Sequence, residues 1–152
     1  MLKVGDQAPG FTLPDDSGGT ISLDSFKGST LVLFFFPKAD TPGCTSEANQ
    51  FRDAKKDLER LGAKVLGVSK DEVEQLQKFR DKYKLNFPLA GDTAHSMLEA
   101  YGVWQEKNLY GQNSMGIVRT TFIIDPAGKI RNIFPKVKVE GHSREILDAL
   151  SA

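Results

Sequence analysis

The sequence holds one cysteine, Cys44, set in the segment Phe36-Pro37-Lys38-Ala39-Asp40-Thr41-Pro42-Gly43-Cys44-Thr45-Ser46-Glu47. An apolar run ends at Pro37, a short turn follows, and helical periodicity begins at about Cys44. First-turn N–H groups of a helix lack intrahelical partners and lie at the positive end of its dipole. Both effects favour a thiolate over a thiol, and the thiolate is the form that attacks electrophiles and climbs the oxidation ladder. Splitting an O–O bond also requires donors for the leaving oxygen. The Thr41 hydroxyl, three residues upstream, is within reach of the same turn. A guanidinium adds permanent charge and several donors. Arg119 is the candidate, because it opens the apolar strand Thr120–Ile124, and a strand beside that of Phe36 would present it to Cys44.

Each of these residues has a plainer reading. A lone cysteine is most often a small buried hydrophobe. Thr41 suits a turn or a helix N-cap, and Arg119 suits an exposed strand position. Glu47 is a favourable first-turn carboxylate, with orientation of Arg119 as a lesser role. Phe36, Phe51 and Trp104 read as packing residues. His95 and His142 have no Cys or carboxylate neighbours at metal-ligand spacing, so no metal site is expected. Gly18-Gly19 is a turn rather than a phosphate loop, since no Lys-Ser/Thr helix start follows.

The elements that must position these groups follow from periodicity and turn chemistry. Phe11–Leu13 and Thr20–Leu23 read as short strands joined by Asp15-Asp16-Ser17-Gly18-Gly19. Thr30–Phe36 and Ala63–Val68 are continuous apolar runs, the pattern of strands buried on both faces. Between them Cys44, Ala48, Phe51, Ala54, Leu58 and Leu61 recur at helical spacing up to Gly62, predicting one helix. Ser69 and Glu72 form a capping-box pair before a helix striped by Val73, Leu76, Phe79 and Tyr83. Asn86–Leu89 reads as a short strand and Ala94–Tyr101 as a short helix capped by Asp92 or Thr93. Gly102–Gly116 is expected to be a long loop of the kind that often carries function. Thr120–Ile124 and Lys129–Phe134 form a hairpin about Asp125-Pro126-Ala127-Gly128, and a helix with Ile146, Leu147 and Leu150 follows. The order predicts an α/β chain with a mixed central sheet flanked by helices and an N-terminal β-hairpin extension, the thioredoxin-like pattern.

At 152 residues the chain suits a single domain, 1–152. Twenty basic and twenty acidic residues cancel, so nothing in the charge balance points to nucleic acid or a membrane surface. The longest apolar run, Leu31–Phe36, is too short to span a bilayer. No apolar signal core stands at the N-terminus, and a lone cysteine agrees with a reducing compartment, so a cytoplasmic location is expected. One cysteine also means that any redox cycle at Cys44 needs a thiol from another molecule.

Pro37, Thr41 and Cys44 match the Pro-x-x-x-Thr-x-x-Cys motif of peroxiredoxins. Phe34-Phe35-Phe36-Pro37-Lys38, Asp40-Thr41-Pro42-Gly43-Cys44-Thr45, Glu47-Ala48, Gly102-Val103-Trp104, Tyr110-Gly111 and Arg119-Thr120-Thr121-Phe122-Ile123-Ile124-Asp125 resemble the bacterioferritin-comigratory-protein, or PrxQ, branch over nearly the whole chain. The resemblance implies a thioredoxin-like fold, no cofactor, and thiol-dependent reduction of hydrogen peroxide and organic hydroperoxides. It implies that Cys44 is the peroxidatic cysteine, that Pro37 shields it, and that Thr41 and Arg119 bind peroxide; Gly43, Glu47 and Phe36 are the further candidates for substrate binding or support. The reductant would be thioredoxin, glutaredoxin or glutathione, and the branch is often monomeric. One departure concerns the resolving cysteine, which many members carry five residues after the peroxidatic one and others on a later helix. Asn49 and Leu98 stand at those positions, which implies a one-Cys cycle. Three other functions compete: a thiol–disulfide oxidoreductase, a redox sensor switched by Cys44, and a cysteine hydrolase using His95 or His142 as base.

Overall fold

The computed structural model describes residues 1–152, apart from the Leu109 side chain. Its centre is a five-stranded sheet in the order β5-β4-β3-β8-β9. β3 (Thr30–Phe35) lies in the middle, parallel to β4 (Ala63–Ser69) on one side and antiparallel to β8 (Thr120–Ile124) on the other. β5 (Leu89–Gly91) adds parallel to β4, and β9 (Ile130–Phe134) antiparallel to β8. The mixed sheet and the β1–β2 hairpin (Thr12–Pro14 and Thr20–Ser22) are those expected from the sequence.

Alternation along β3 sorts the core into two layers. Leu31, Leu33 and Phe35 face a layer built with Phe11, Leu13, Leu98, Tyr101 and Phe122. Val32, Phe34 and Phe36 face the other, with Phe51, Leu76, Phe79 and Ile146. The second layer is covered by α1 (Pro42–Asp53), α2 (Lys55–Arg60), α3 (Val73–Tyr83) and α5 (His142–Ser151), and it is the layer that contains Cys44.

Several local expectations are corrected. The helix expected from Cys44 to Leu61 begins at Pro42 and divides at Ala54, whose φ of −88° and ψ of 0° depart from helical values. Apolar spacing continues across the break, so periodicity alone does not register it. The Ser69–Glu72 capping box is absent. Ser69 ends β4, while Glu72 is itself the N-cap of α3 and pairs with Gln75. β5 lies later than the Asn86–Leu89 strand expected. α4 is short (Ser96–Ala100), and His95 rather than Asp92 or Thr93 holds its N-cap position. Asp92 instead accepts the Leu98 N–H at 2.8 Å.

The largest correction is Gly102–Gly116. The stretch is a hairpin of β6 (Trp104–Leu109) and β7 (Gln112–Ile117), with Trp104 opposite Ile117 and Asn108 opposite Asn113. Tyr110 and Gly111 turn it with φ of 55° and 77°. Such paired positive φ values match the strand twist and are normally supplied by Asn-Gly or Gly-Gly. Tyr at the first position and polar side chains along both strands conceal the pattern.

Candidate functional site

The candidate site lies at the C-terminal end of β3. β3 ends at Phe35, and Phe36 to Thr41 cross to α1. Phe36 is fully buried against Phe34 and Phe79, with ring centroids 5.5 and 6.0 Å apart, and fixes the start of that crossing. Pro37 is half-buried. Pro42 occupies the first position of α1, where its missing N–H costs nothing. Cys44 is the third residue, so its own N–H and that of Gly43 belong to the first turn that the helix ladder leaves unpaired. The ladder begins with Thr45 N–H donating to Thr41 C=O at 2.8 Å. Cys44 itself is 1% exposed and packs in the apolar layer with Ala48 and Phe51.

Arg119 reaches this thiol from the neighbouring strand. β8 pairs Thr120 with Phe35, so the residue before Thr120 lies beside the end of β3. Its Nη2 donates to Cys44 Sγ at 3.4 Å and its Nη1 to Glu47 Oε1 at 2.7 Å. Gly43 makes room for it, because a Cβ there would stand 3.1 Å from Nη2. Glu47 is fully buried one turn along α1 from Gly43, and its second oxygen, Oε2, has no hydrogen-bond partner. Burial, only partly offset by Arg119, pushes its carboxyl up to about 7. Glu47 thus lies beyond the first turn of α1 and is ion-paired with Arg119.

Thr41 holds the N-cap position of α1, but its hydroxyl makes no cap bond. It donates instead to Lys38 C=O at 2.7 Å. The loop around it is fastened from the far side. Ala39 N–H donates to Asp71 Oδ2 at 2.7 Å, and Tyr83 Oη and Lys82 Nζ donate to the Asp40 carboxylate at 2.7 and 2.9 Å. Those donors hold the Asp40 carboxyl below its ordinary range. They also pin a non-glycine residue at φ 60°, in the left-handed region. Sequence reasoning passed over Asp71, because its neighbours Ser69 and Glu72 read as a helix cap.

The β6–β7 hairpin closes another side. Lys107 lies across Gly116, and burial together with the charges of Arg119 and Lys70 lowers its pKa, while the Cys44 charge raises it. Trp104 stacks on His95 at 3.9 Å and carries Lys70 Nζ 5.6 Å over its ring, so His95 is a stacking partner rather than a ligand. His142 is buried between Phe51 and Phe134, shares a 2.8 Å hydrogen bond with Thr121 Oγ1, and is lowered in pKa by that burial. Among the described residues the Cys44 sulfur is hydrogen-bonded to Arg119 and to neither histidine, which leaves a hydrolase base unsupported. No group of three or more His, Cys, Asp or Glu side chains able to hold a metal occurs among the described residues.

A protein-family model described as the AhpC/TSA family matches residues 4–133. A putative peroxiredoxin Bcp of Coxiella burnetii is 49% identical over 149 residues, spanning 98% of this chain and 99% of that protein. The peroxiredoxin Bcp of Escherichia coli K12 is 43% identical over 149 residues, spanning 98% and 96%. Among solved structures, a Xanthomonas campestris bacterioferritin comigratory protein, studied for its alkyl peroxide reduction activity, superposes with a TM-score of 0.89 at 38% identity, covering 93% of this chain and 90% of that one.

Proposed function

The chain belongs to the AhpC/TSA family and is a thiol-dependent peroxidase; from that premise we propose that Cys44 is its peroxidatic cysteine, working with Thr41, Arg119 and Pro37. One observation carries the assignment: the lone thiol is buried at the start of α1 with a guanidinium nitrogen 3.4 Å from its sulfur.

The Cys44 thiolate attacks the terminal oxygen of ROOH, an S–O bond forms and the O–O bond breaks. Sulfur is oxidised to the sulfenic acid, and RO⁻ leaves and takes up from solvent the equivalent of the proton the Cys44 thiol lost on ionising, becoming ROH. Arg119 supplies positive charge to the attacking sulfur and to the oxygens as charge moves between them, in a site from which water is largely displaced. The Thr41 hydroxyl, with its hydrogen committed to Lys38 C=O, offers lone pairs to the peroxide O–H. The free N–H groups of Gly43 and Cys44 add fixed donors. Pro37 and Phe36 limit solvent on the strand side, Gly43 leaves the space Arg119 occupies, and Glu47 holds Arg119 in place.

Cys44 is the only cysteine in the sequence, so the sulfenic acid is reduced from outside. A first external thiol displaces water to form a mixed disulfide, and a second thiol releases Cys44 and leaves as the oxidised disulfide. Asn49, which accepts a bond from Arg52 at 3.2 Å, stands five residues after Cys44, where many members of the branch carry a resolving cysteine. Thioredoxin, glutaredoxin and glutathione are the reductants proposed. No helix among the described residues is long and apolar enough to cross a membrane. A cytoplasmic, monomeric, single-domain enzyme without cofactor is the reading we adopt, supported by the lone thiol and the resemblance. Peroxide consumption with each thiol tests the assignment. The wild-type chain should turn over and Cys44→Ser should not, with its fold retained. Turnover by Cys44→Ser near the wild-type rate would remove Cys44 from the mechanism.

A further inference from the structure

We propose that Asp71 is a positioning residue for the Thr41 hydroxyl, acting through the Lys38–Ala39 peptide; the inference rests on the peroxide-binding role of Thr41 proposed above. Two hydrogen bonds meet in that peptide. Its N–H, that of Ala39, donates to Asp71 Oδ2 at 2.7 Å. Its C=O, that of Lys38, accepts the Thr41 hydroxyl at 2.7 Å. The peptide is planar and trans, so its N–H and C=O point in opposite directions and one rigid unit is gripped at both ends. A carboxylate on the N–H strengthens that bond, and hydrogen bonds in series polarise one another. The Lys38 carbonyl is thereby both aimed and made a better acceptor, and it dictates where the Thr41 hydrogen points. With its hydrogen committed to Lys38 C=O, the Thr41 oxygen keeps its lone pairs for a peroxide O–H.

Asp71 is itself held on the central sheet. It is 6% exposed. Ser69 Oγ, at the end of β4, donates to the same Oδ2 at 2.7 Å and accepts the Asp71 N–H at 3.2 Å. Gly91, at the end of β5, packs so closely that a Cβ there would collide with the Asp71 carbonyl oxygen. The path from the sheet to the reactive loop thus runs through a buried carboxylate and one peptide. That loop contains Asp40 at φ 60°, a conformation that persists only where its surroundings impose it.

A double-mutant cycle tests the relay. The rate of the reduced full-length enzyme with hydrogen peroxide is measured for wild type, Asp71→Ala, Thr41→Val and the double variant. Asp71→Ala should slow the reaction about tenfold, and should add less than about twofold in the Thr41→Val background, because residues acting as one unit are not additive. Asp71→Asn retains one acceptor oxygen for both donors and should recover most of the rate. If Asp71→Ala does not fold, Asp71→Ser replaces it, being polar but one bond too short to reach Ala39. Thr41→Val at the wild-type rate would overturn the reading of Thr41 and the relay with it. A slow Thr41→Val beside an Asp71→Ala that runs at the wild-type rate, or that costs the same with and without the hydroxyl, would overturn the relay alone.

Discussion

Two buried acidic side chains support the loop and helix around Cys44, and they are bonded in different ways. Asp71 collects a backbone N–H and a serine hydroxyl on one oxygen, neither of them charged. Glu47 gives one oxygen to the Arg119 guanidinium and leaves the other without a partner. The Asp71 arm fixes the direction of a hydroxyl through a peptide plane. The Glu47 arm bonds the Arg119 guanidinium, and its carboxyl is pushed to about 7 because burial outweighs the attraction of Arg119. One arm therefore supplies geometry, while the other supplies geometry that depends on a proton. The difference shows that burial alone does not say what a carboxylate does; its partners do.

The largest effects should come from cutting either arm at the group that meets the substrate. Arg119→Ala and Thr41→Val should each slow reaction with peroxide by about a hundredfold to a thousandfold, the usual loss for one donor in a preorganised site. Thr41→Ser should be mild, since the hydroxyl remains. Stopped-flow rates of the reduced enzyme decide this, and a wild-type rate for either of the first two variants would reduce that arm to a structural role.

The next effect lies in the proton on Glu47. Its folded value of about 7 is raised from an ordinary 4.5, so the folded chain holds this proton more tightly than the unfolded chain. Stability from this group is full below about pH 4.5 and is lost as pH rises through about 7. Glu47→Gln should flatten that part of the pH–stability curve. It should also cost about tenfold in peroxide rate, because an amide orients Arg119 with a neutral hydrogen bond in place of a charged one. Denaturant melts across pH 4 to 8 give the readout, roughly spanning both values. An unchanged slope in the variant would show that Glu47 does not titrate as its surroundings imply.

The smallest effect probes how tightly the cation fits. Gly43→Ala would place a methyl 3.1 Å from Arg119 Nη2, near enough to push the guanidinium by a few tenths of an ångström. A loss of about threefold to tenfold in rate is expected, with little change in melting temperature. A wild-type rate would mean that Arg119 has slack at Cys44.

How much of this was legible depends on whether the signal was local. Cys44 at a helix start and the buried strand before it are written in neighbouring residues, so the strand–turn–helix could be placed, with Pro42 rather than Cys44 opening it. Arg119 stood out only as the residue before an apolar strand. Its approach to Cys44 needs β8 beside β3, a non-local pairing that no spacing encodes, and here that pairing is present. The break at Ala54 went unseen because apolar periodicity runs through it. The β6–β7 hairpin went unseen because its strands are polar and Tyr110 sits where a hairpin turn usually has Asn or Gly. Asp71 was the least legible of all. Its role depends on a contact 32 positions back in the chain, and its neighbours mimic a capping box.

In the proposed cycle Cys44 takes the oxygen from peroxide and needs an outside thiol to lose it. One equivalent of hydrogen peroxide added to the reduced full-length chain, followed by mass spectrometry of the peptide carrying Cys44, tests this directly. One added oxygen is expected at Cys44, trapped by a sulfenic-acid reagent and lost when thioredoxin or glutathione is supplied. Peroxide consumed while Cys44 stays an unmodified thiol would contradict it.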